Sequence, residues 1–298
     1  MSNTASPSPK PIVYVEYDPS SLPPALPNYT RFVCIADTHS HEFYVPPGDV
    51  LLHGGDLTNT GTVHNFEKTM EWLYGMPHNV KVIIGGNHDL TLHRKWYDDN
   101  WDRWHYRIGK QDIKTIMELI KGPKAKEAGI IYLEDEKTTF QAKEGGRFWS
   151  AYGSPWSPWF YDWAFNYPRE EGEKLVSKFP KTDILLTHGP PHRIFDRTSG
   201  GDYAGCVDLR NRLPILRPRL HVFGHIHEAH GAYIHSWKDG SCPAVQNDEA
   251  ISEDVQDNID TTVFVNPANW PMGKRRADYG TREFGGEGFQ PIVVDIVD

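Results

Sequence analysis

Three features of the sequence place this chain in the α/β class. Short apolar runs rich in β-branched residues recur along it, and helix-length segments with spaced apolar positions lie between several of them. No linker interrupts the alternation after about residue 30. Alternation of this kind means layered helix and sheet around one core. With 298 residues, 38% hydrophobic and 24% charged, the chain has material for a single large domain.

Residues 1–30 include Pro19, Pro23, Pro24 and Pro27, which block regular helix, so they read as a Pro/Ser-rich tail or extended strap before a domain over 31–298. Strands are expected at 31–36, 50–53, 80–84, 148–152, 184–187, 220–223, 262–265 and 292–297. Helices are expected at 63–74, 113–126, 169–179 and 206–216. Residues 236–260 hold seven acidic side chains against one Lys, with a Gly-Ser-Cys-Pro turn signal, and should form an exposed acidic loop.

Composition removes several function classes. A formal charge of −9 argues against a long nucleic acid, whose affinity comes mostly from Lys and Arg replacing counterions. A small anionic substrate stays open, because a local cationic centre can outweigh the global field. No stretch reaches the roughly 18 apolar residues of a membrane-spanning helix, and the first residues lack a basic and an apolar leader region. No membrane contact and a cytoplasmic location are therefore expected. Cys34, Cys206 and Cys242 are too few and too scattered for a disulfide framework or zinc-finger spacing.

The chemistry lies in the residues directly after the strands. The run 31–36 leads into Asp37-Thr38-His39, 50–53 into Gly54-Gly55-Asp56, and 80–84 into Gly85-Gly86-Asn87-His88-Asp89. Further on, 184–187 leads into His188-Gly189-Pro190-Pro191, and 220–223 into Gly224-His225-Ile226-His227. In an open α/β sheet the ligand site lies outside the carboxyl ends of the strands, so residues distant in sequence converge there. The glycines let backbone turn sharply and approach a ligand closely. Asp, Asn and neutral His, with no thiolate, favour Mn, Fe, Zn or Mg over copper or an iron–sulfur cluster. More ligands are present than one metal needs, and two metals sharing a carboxylate would use them all.

These motifs, in this order, resemble the calcineurin-like metallophosphoesterase superfamily over about residues 31–230. Longer strings resemble its metallophosphoesterase-domain-containing (MPPED-type) branch: Ala36 to Ser40, Gly48 to His53, Gly153-Ser154-Pro155-Trp156, Asp162 to Asn166 and Thr187 to Pro191. The resemblance implies a four-layer α/β/β/α sandwich and two divalent metal ions, Mn2+ favoured over Fe, Zn or Mg. Asp37, His39, Asp56 and His227 would hold the first metal, and Asp56, Asn87, His188 and His225 the second, with Asp56 as the bridge. His88 would be a catalytic residue near the phosphate and Asp89 its orienting partner.

The reaction so implied is phosphoester hydrolysis by a metal-bridging hydroxide, existing at neutral pH because metal coordination lowers the pKa of water. Neither a Gly-X-Ser-X-Gly elbow nor a P-loop is present, which removes serine hydrolases and P-loop NTPases. Seven of the fifteen residues from Gly153 to Tyr167 are aromatic, and rings such as Trp156, Trp159 and Trp163 either fill a core beside rigid Pro turns or offer surfaces on which a nucleobase could stack. His192 and Arg193 lie close enough in sequence to His188 to reach a substrate oxygen or else serve at the surface, whereas His41 is expected beside the ligands or exposed rather than among them. The expected substrate is a small phosphodiester, cyclic nucleotides included. The alternatives are a metal-binding scaffold with little turnover and a nuclease of the same superfamily.

Overall fold

The computed structural model describes residues 10–238, 243 and 260–298. In chain order it begins with β1 (Ile12–Tyr14), β2 (Tyr29–Ile35), β3 (Val50–His53), α1 (Val63–Tyr74), β4 (Val80–Ile84), α2 (Arg94–His105), α3 (Ile113–Lys121) and α4 (Pro123–Glu127). The middle holds β5 (Ile130–Leu133), β6 (Glu136–Gln141), β7 (Phe148–Ser154), β8 (Ser157–Pro158), β9 (Asn166–Tyr167) and α5 (Gly172–Val176). It continues with β10 (Ile184–Thr187), α6 (Val207–Leu216), β11 (Leu220–Val222), β12 (Gly231–Ser236), β13 (Thr261–Asn266), α7 (Gly273–Tyr279) and β14 (Ile292–Val297).

Two six-stranded sheets form, ordered β1-β14-β2-β3-β4-β5 and β12-β13-β11-β10-β7-β6. In the first, β2, β3, β4 and β5 run parallel; in the second, β7, β10, β11 and β13 do. Strand periodicity explains the layers. Phe32 and Cys34 of β2 face a core shared with Trp149, Ile184 and Val263 of the other sheet, while Val33 and Ile35 face α1 and α3 through Phe66, Met70 and Ile116. On the far side, Tyr152, Leu185 and Phe264 pack on Val176 of α5 and on Leu209 and Leu213 of α6. The result is an α/β/β/α sandwich in a single domain.

Several boundaries move for local reasons. The helix expected over 113–126 splits at Gly122, which caps α3 by donating to the Glu118 carbonyl, and Pro123 then starts α4. The segment expected as a helix over 169–179 begins with a 3-10 turn at Arg169–Glu171. Cys206 is not helical but caps α6, its Sγ accepting from Leu209 N at 3.3 Å. Residues 12–14, within the expected tail or strap, pair antiparallel with β14 at the edge of the first sheet. Most of the acidic loop expected at 236–260 lies outside the described residues. Among those described, no helix is long and apolar enough to cross a membrane.

Candidate metal centre and its cavity

Parallel strands of both sheets end at one edge, and their following turns meet there. Asp37 and His39 follow β2, Asp56 follows β3, Asn87 and His88 follow β4, His188 follows β10, and His225 and His227 follow β11. Donor atoms of Asp37, His39, Asp56 and His227 all lie within 4.8 Å of one another. The His39 and His227 Nε2 atoms are 3.4 Å apart, and His227 Nε2 is 3.3 Å from Asp37 Oδ1. Beside them, His188 Nε2 lies 2.8 Å from Asn87 Oδ1, and the His225 ring centroid is 5.1 Å from that of His188. Asp56 stands between the groups, its Oδ2 3.7 Å from His39 Nε2 and 3.5 Å from His188 Nε2.

Backbone conformation marks the same residues. Asp37, His39, Asp56 and His225 all have φ in the left-handed region, at 54°, 45°, 54° and 70°. For residues with a Cβ this conformation costs of order 1–3 kcal/mol each, and such strain clusters at functional sites. The glycines are there for closeness. A Cβ on Gly224 would come within 2.3 Å of Asp37 Oδ2, and Gly55, at φ 98°, would place one 2.5 Å from His188 Nδ1.

The electrostatics suit cations. Burial alone would lower His188, but the Asp56 carboxylate, helped by Asp37, holds it up at about 9. His227 is raised against burial by its hydrogen bond to Asp37. Burial pushes His39 well below the usual range and His225 down to about 3, so both stay neutral. Asp56 is buried, but the surrounding imidazoles, His188 foremost, keep it ionised. Carboxylates, the neutral imidazoles of His39 and His225, and those of His188 and His227, whose extra protons a bound cation would displace, converge on two adjacent points and fit divalent ions of intermediate hardness.

A cavity of about 570 Å³ opens over this centre, and Asp56, Asn87, His88, His225 and His227 contribute to its lining. His88 Nδ1 is 2.8 Å from the Asn59 carbonyl, and its ring stands 4.2 Å from Trp163 and edge-on to His39 at 4.5 Å. Asp89 does not orient this ring as expected. Its buried carboxylate instead accepts from the backbone N–H groups of Leu57, Thr58 and Gly86 and from the Thr58 hydroxyl, clamping the turn after β3 to the turn after β4. Burial, with Asp56 nearby, pushes Asp89 up to about 7.

None of Trp156, His192 and Arg193 lines the cavity. The Trp156 indole donates to Asp135 Oδ2 at 2.7 Å and its ring packs edge-on to His93 and Phe165. Trp159, Phe160 and Trp163 from the same segment form the wall instead. His192 and Arg193 are also absent from the lining: His192 lies 3.5 Å from Asp196, and Arg193 covers the ring of Tyr203, which does line it. His41 is exposed and stacks on Phe284. Sequence reasoning missed Arg169, Asp202, Tyr203 and Glu228 in the lining: Asp202 and Tyr203 sit on a connection carrying no motif, Arg169 opens an expected helix, and Glu228 directly follows His227. It also missed Trp270 beside His39 and His227, although the run 262–265 was an expected strand and reading past its end would have reached that residue.

Two sheets flanked by helices carry, at their common edge, a cluster of carboxylates and imidazoles that is the donor set of a candidate divalent-metal site. The family model for calcineurin-like phosphoesterases matches residues 30–229, so this chain belongs to that family. Within it the chain falls in the MPPED-type branch. It is 39% identical over 222 residues to Metallophosphoesterase domain-containing protein 1 of Homo sapiens, and equally to that of Mus musculus, covering 70% of this chain and 64% of each relative. A UPF0046 protein of Caenorhabditis elegans is 36% identical over 229 residues, 70% of this chain and 54% of the relative. The chain thus spans less than two thirds of these relatives' length. A solved crystal structure matches in fold with a TM-score of 0.50 at 12% identity, over 80% of this chain and 91% of its own.

Proposed function

We propose that this protein is a dimetal-dependent phosphodiesterase for small organic diesters, cyclic nucleotides among them. The observation that carries the reading is the place of Asp56, a single buried carboxylate facing both donor groups. That position suits a pair of ions about 3.5–4 Å apart. Asp37, His39, Asp56 and His227 would hold one ion, and Asp56, Asn87, His188 and His225 the other. When bound, Mn2+, or Fe, Zn or Mg in its place, would supply positive charge at the phosphate and lower the pKa of water towards roughly 7.

The chain's own residues bind, orient and handle protons. A carbonyl only accepts, so the contact with Asn59 puts a proton on His88 Nδ1 and leaves Nε2 for the substrate. As the imidazolium, with Nδ1–H kept on the Asn59 carbonyl, it would give its Nε2 proton to the departing oxygen and be left neutral, a role typically worth ~10²–10⁴-fold. Asp89 acts at one remove, through the backbone it clamps, and is a positioning residue. Arg169 adds a cation at the rim, its guanidinium steadied by the carbonyls of Ala204 and Gly205.

Diester preference rests on the wall. A diester carries one negative charge against up to two on a monoester, so contacts to its organic part matter more. Trp159 and Phe160 are each 55% exposed, at the mouth of the cavity, where a planar base can stack. Stacking typically supplies ~1–3 kcal/mol per base, which corresponds to roughly a five- to 150-fold preference. The test compares kcat/KM for a cyclic nucleotide, for glycerophosphodiester and for a chromogenic monoester. A cyclic nucleotide preferred within the five- to 150-fold range supports the reading; activity confined to monoesters overturns it. A cytoplasmic location belongs to the same reading, supported by the buried free thiols of Cys34 and Cys206, since reducing compartments keep thiols unpaired.

A further inference from the structure

A histidine that binds a metal through one ring nitrogen usually has the other tied by a hydrogen bond, which fixes the ring. His188 obeys that rule, its Nδ1 lying 3.0 Å from the Gly54 carbonyl. His39 does not. Its Nε2 faces Asp56 and His227, while its buried Nδ1 has no hydrogen-bond partner among the described residues. Something else must hold the ring. Trp270 stands edge-on to His39 at 4.6 Å between ring centroids, and it also stacks on His227 at 5.2 Å with only 12° between the planes.

Trp270 is itself anchored. The preceding Asn269 donates from its backbone N–H to the Ala36 carbonyl at 2.9 Å and accepts from the Ala36 N–H on its Oδ1 at 3.2 Å. Its side-chain amide donates to the Phe289 carbonyl at 2.8 Å. The loop after β13 is therefore clasped to the end of β2, one residue before Asp37. On its outer side Trp270 meets the ring of Phe284.

We propose that Trp270 is a positioning residue for one metal only, holding His39 and His227 by ring packing where hydrogen bonds hold His188. It touches two of the four donors of the Asp37 group, and among the described residues its ring packs on His39, His41, His227 and Phe284 but on neither His188 nor His225. Losing it therefore loosens one site of a pair. The inference rests on the two-metal reading above, and the test keeps the two apart.

Mn2+ alone is titrated calorimetrically into the metal-stripped 298-residue chain, wild type and variants, and the half-activating Mn2+ concentration is read on a chromogenic diester. Trp270→Ala should weaken one of two sites at least tenfold, the scale typical for an outer partner of a metal ligand, and leave the other within twofold. Activity at saturating Mn2+ should return to within threefold of wild type, which a general folding defect would not allow. Trp270→Phe keeps a flat ring over His227 and should bind Mn2+ within threefold of wild type. Trp270→Leu fills the space without a flat face; it should match wild type in metal-free thermal midpoint and Trp270→Ala in Mn2+ affinity. Equal weakening of both sites, wild-type affinity in Trp270→Ala, or Trp270→Phe as weak as Trp270→Ala would overturn the proposal. A wild-type chain that takes up no Mn2+ overturns the metal-centre reading itself.

Discussion

The floor and the wall of the cavity are built on opposite principles. The floor is buried, polar and strained: Asp37, His39, Asp56 and His188 are at most 1% exposed, and the first three hold left-handed φ on the ends of core strands. The wall is exposed and apolar, carried by the connection between β8 and β9, where Trp159, Phe160 and Tyr161 are all more than half exposed. Backbone strain reaches the wall too, with φ of 52° at Tyr161 and 55° at Asp162. What differs is the restraint. The floor is locked by two sheets, while the wall is held by Asn166, whose Oδ1 accepts from Phe160 N and Trp163 N, and by Arg103. A rigid floor suits chemistry that every substrate shares; a separately held wall suits selection among substrates.

If this division is real, the largest effect comes from the floor. Asp56→Asn removes the one charge that both donor groups share, so metal content should fall at both positions and kcat by at least a hundredfold. Metal analysis beside turnover checks this, since metal affinity depends on deprotonated ligands; two ions at full occupancy with normal turnover would remove Asp56 from the centre. His88→Phe separates chemistry from binding. It keeps a ring against Trp163 and His39 but loses both nitrogens, so two Mn2+ should remain while kcat drops by about a hundredfold. Falling metal content would make His88 a ligand instead of a proton donor.

The same division decided what could be read from the sequence. The floor was legible because each donor directly follows an apolar run, and strand ends converge in a parallel sheet whatever the connections do. The left-handed backbone of Asp37 or His225 was not legible, since only tertiary clamps force a residue with a Cβ there. Edge strands were also hidden. Glu136–Gln141 lies on the rim of its sheet with half its residues exposed, so it lacks the apolar alternation that marks a strand. Helix α2, Arg94–His105, buries only Tyr97 and His105 outright and leans on half-buried Trp residues, a pattern too polar to register as amphipathic. In the wall, composition announced an aromatic segment but not which rings face the cavity. That depended on Asp135 capturing the Trp156 indole from a different strand connection.

The wall can be broken while the floor stays whole. Trp159→Ala with Phe160→Ala should lower kcat/KM for a cyclic nucleotide by roughly five- to 150-fold, the value of stacking one base, and leave that for glycerophosphodiester within twofold. Metal content at the Asp37 group should not change, because neither ring packs on one of its donors, whereas Phe160 stands edge-on to His225 at 6.5 Å between ring centroids. An equal loss on both substrates would show that the wall excludes water or closes the site instead of selecting a base.

The smallest effect sharpens the comparison most, because it tests whether the wall has a restraint of its own. Arg103 of α2 reaches across to the wall connection, with Nη1 donating to Asp162 Oδ2 at 3.0 Å and to the Asp162 carbonyl at 3.1 Å, and Nη2 to the Tyr161 carbonyl at 2.9 Å. The pair is solvent-exposed, at 45% and 53% of the side chains, so its contribution belongs to the weak class of about 0–1 kcal/mol. Arg103→Met keeps the stem and removes the fork, and should raise KM for a cyclic nucleotide by no more than about fivefold, the equivalent of 1 kcal/mol. Both kcat and Mn2+ content should stay at wild-type values. Because exposed pairs are screened by salt, wild-type KM should drift towards that of the variant as NaCl approaches 1 M. A fall in kcat would mean that the strained turn at Tyr161 and Asp162 transmits to His88 through Trp163, and the wall would then be part of the catalytic floor.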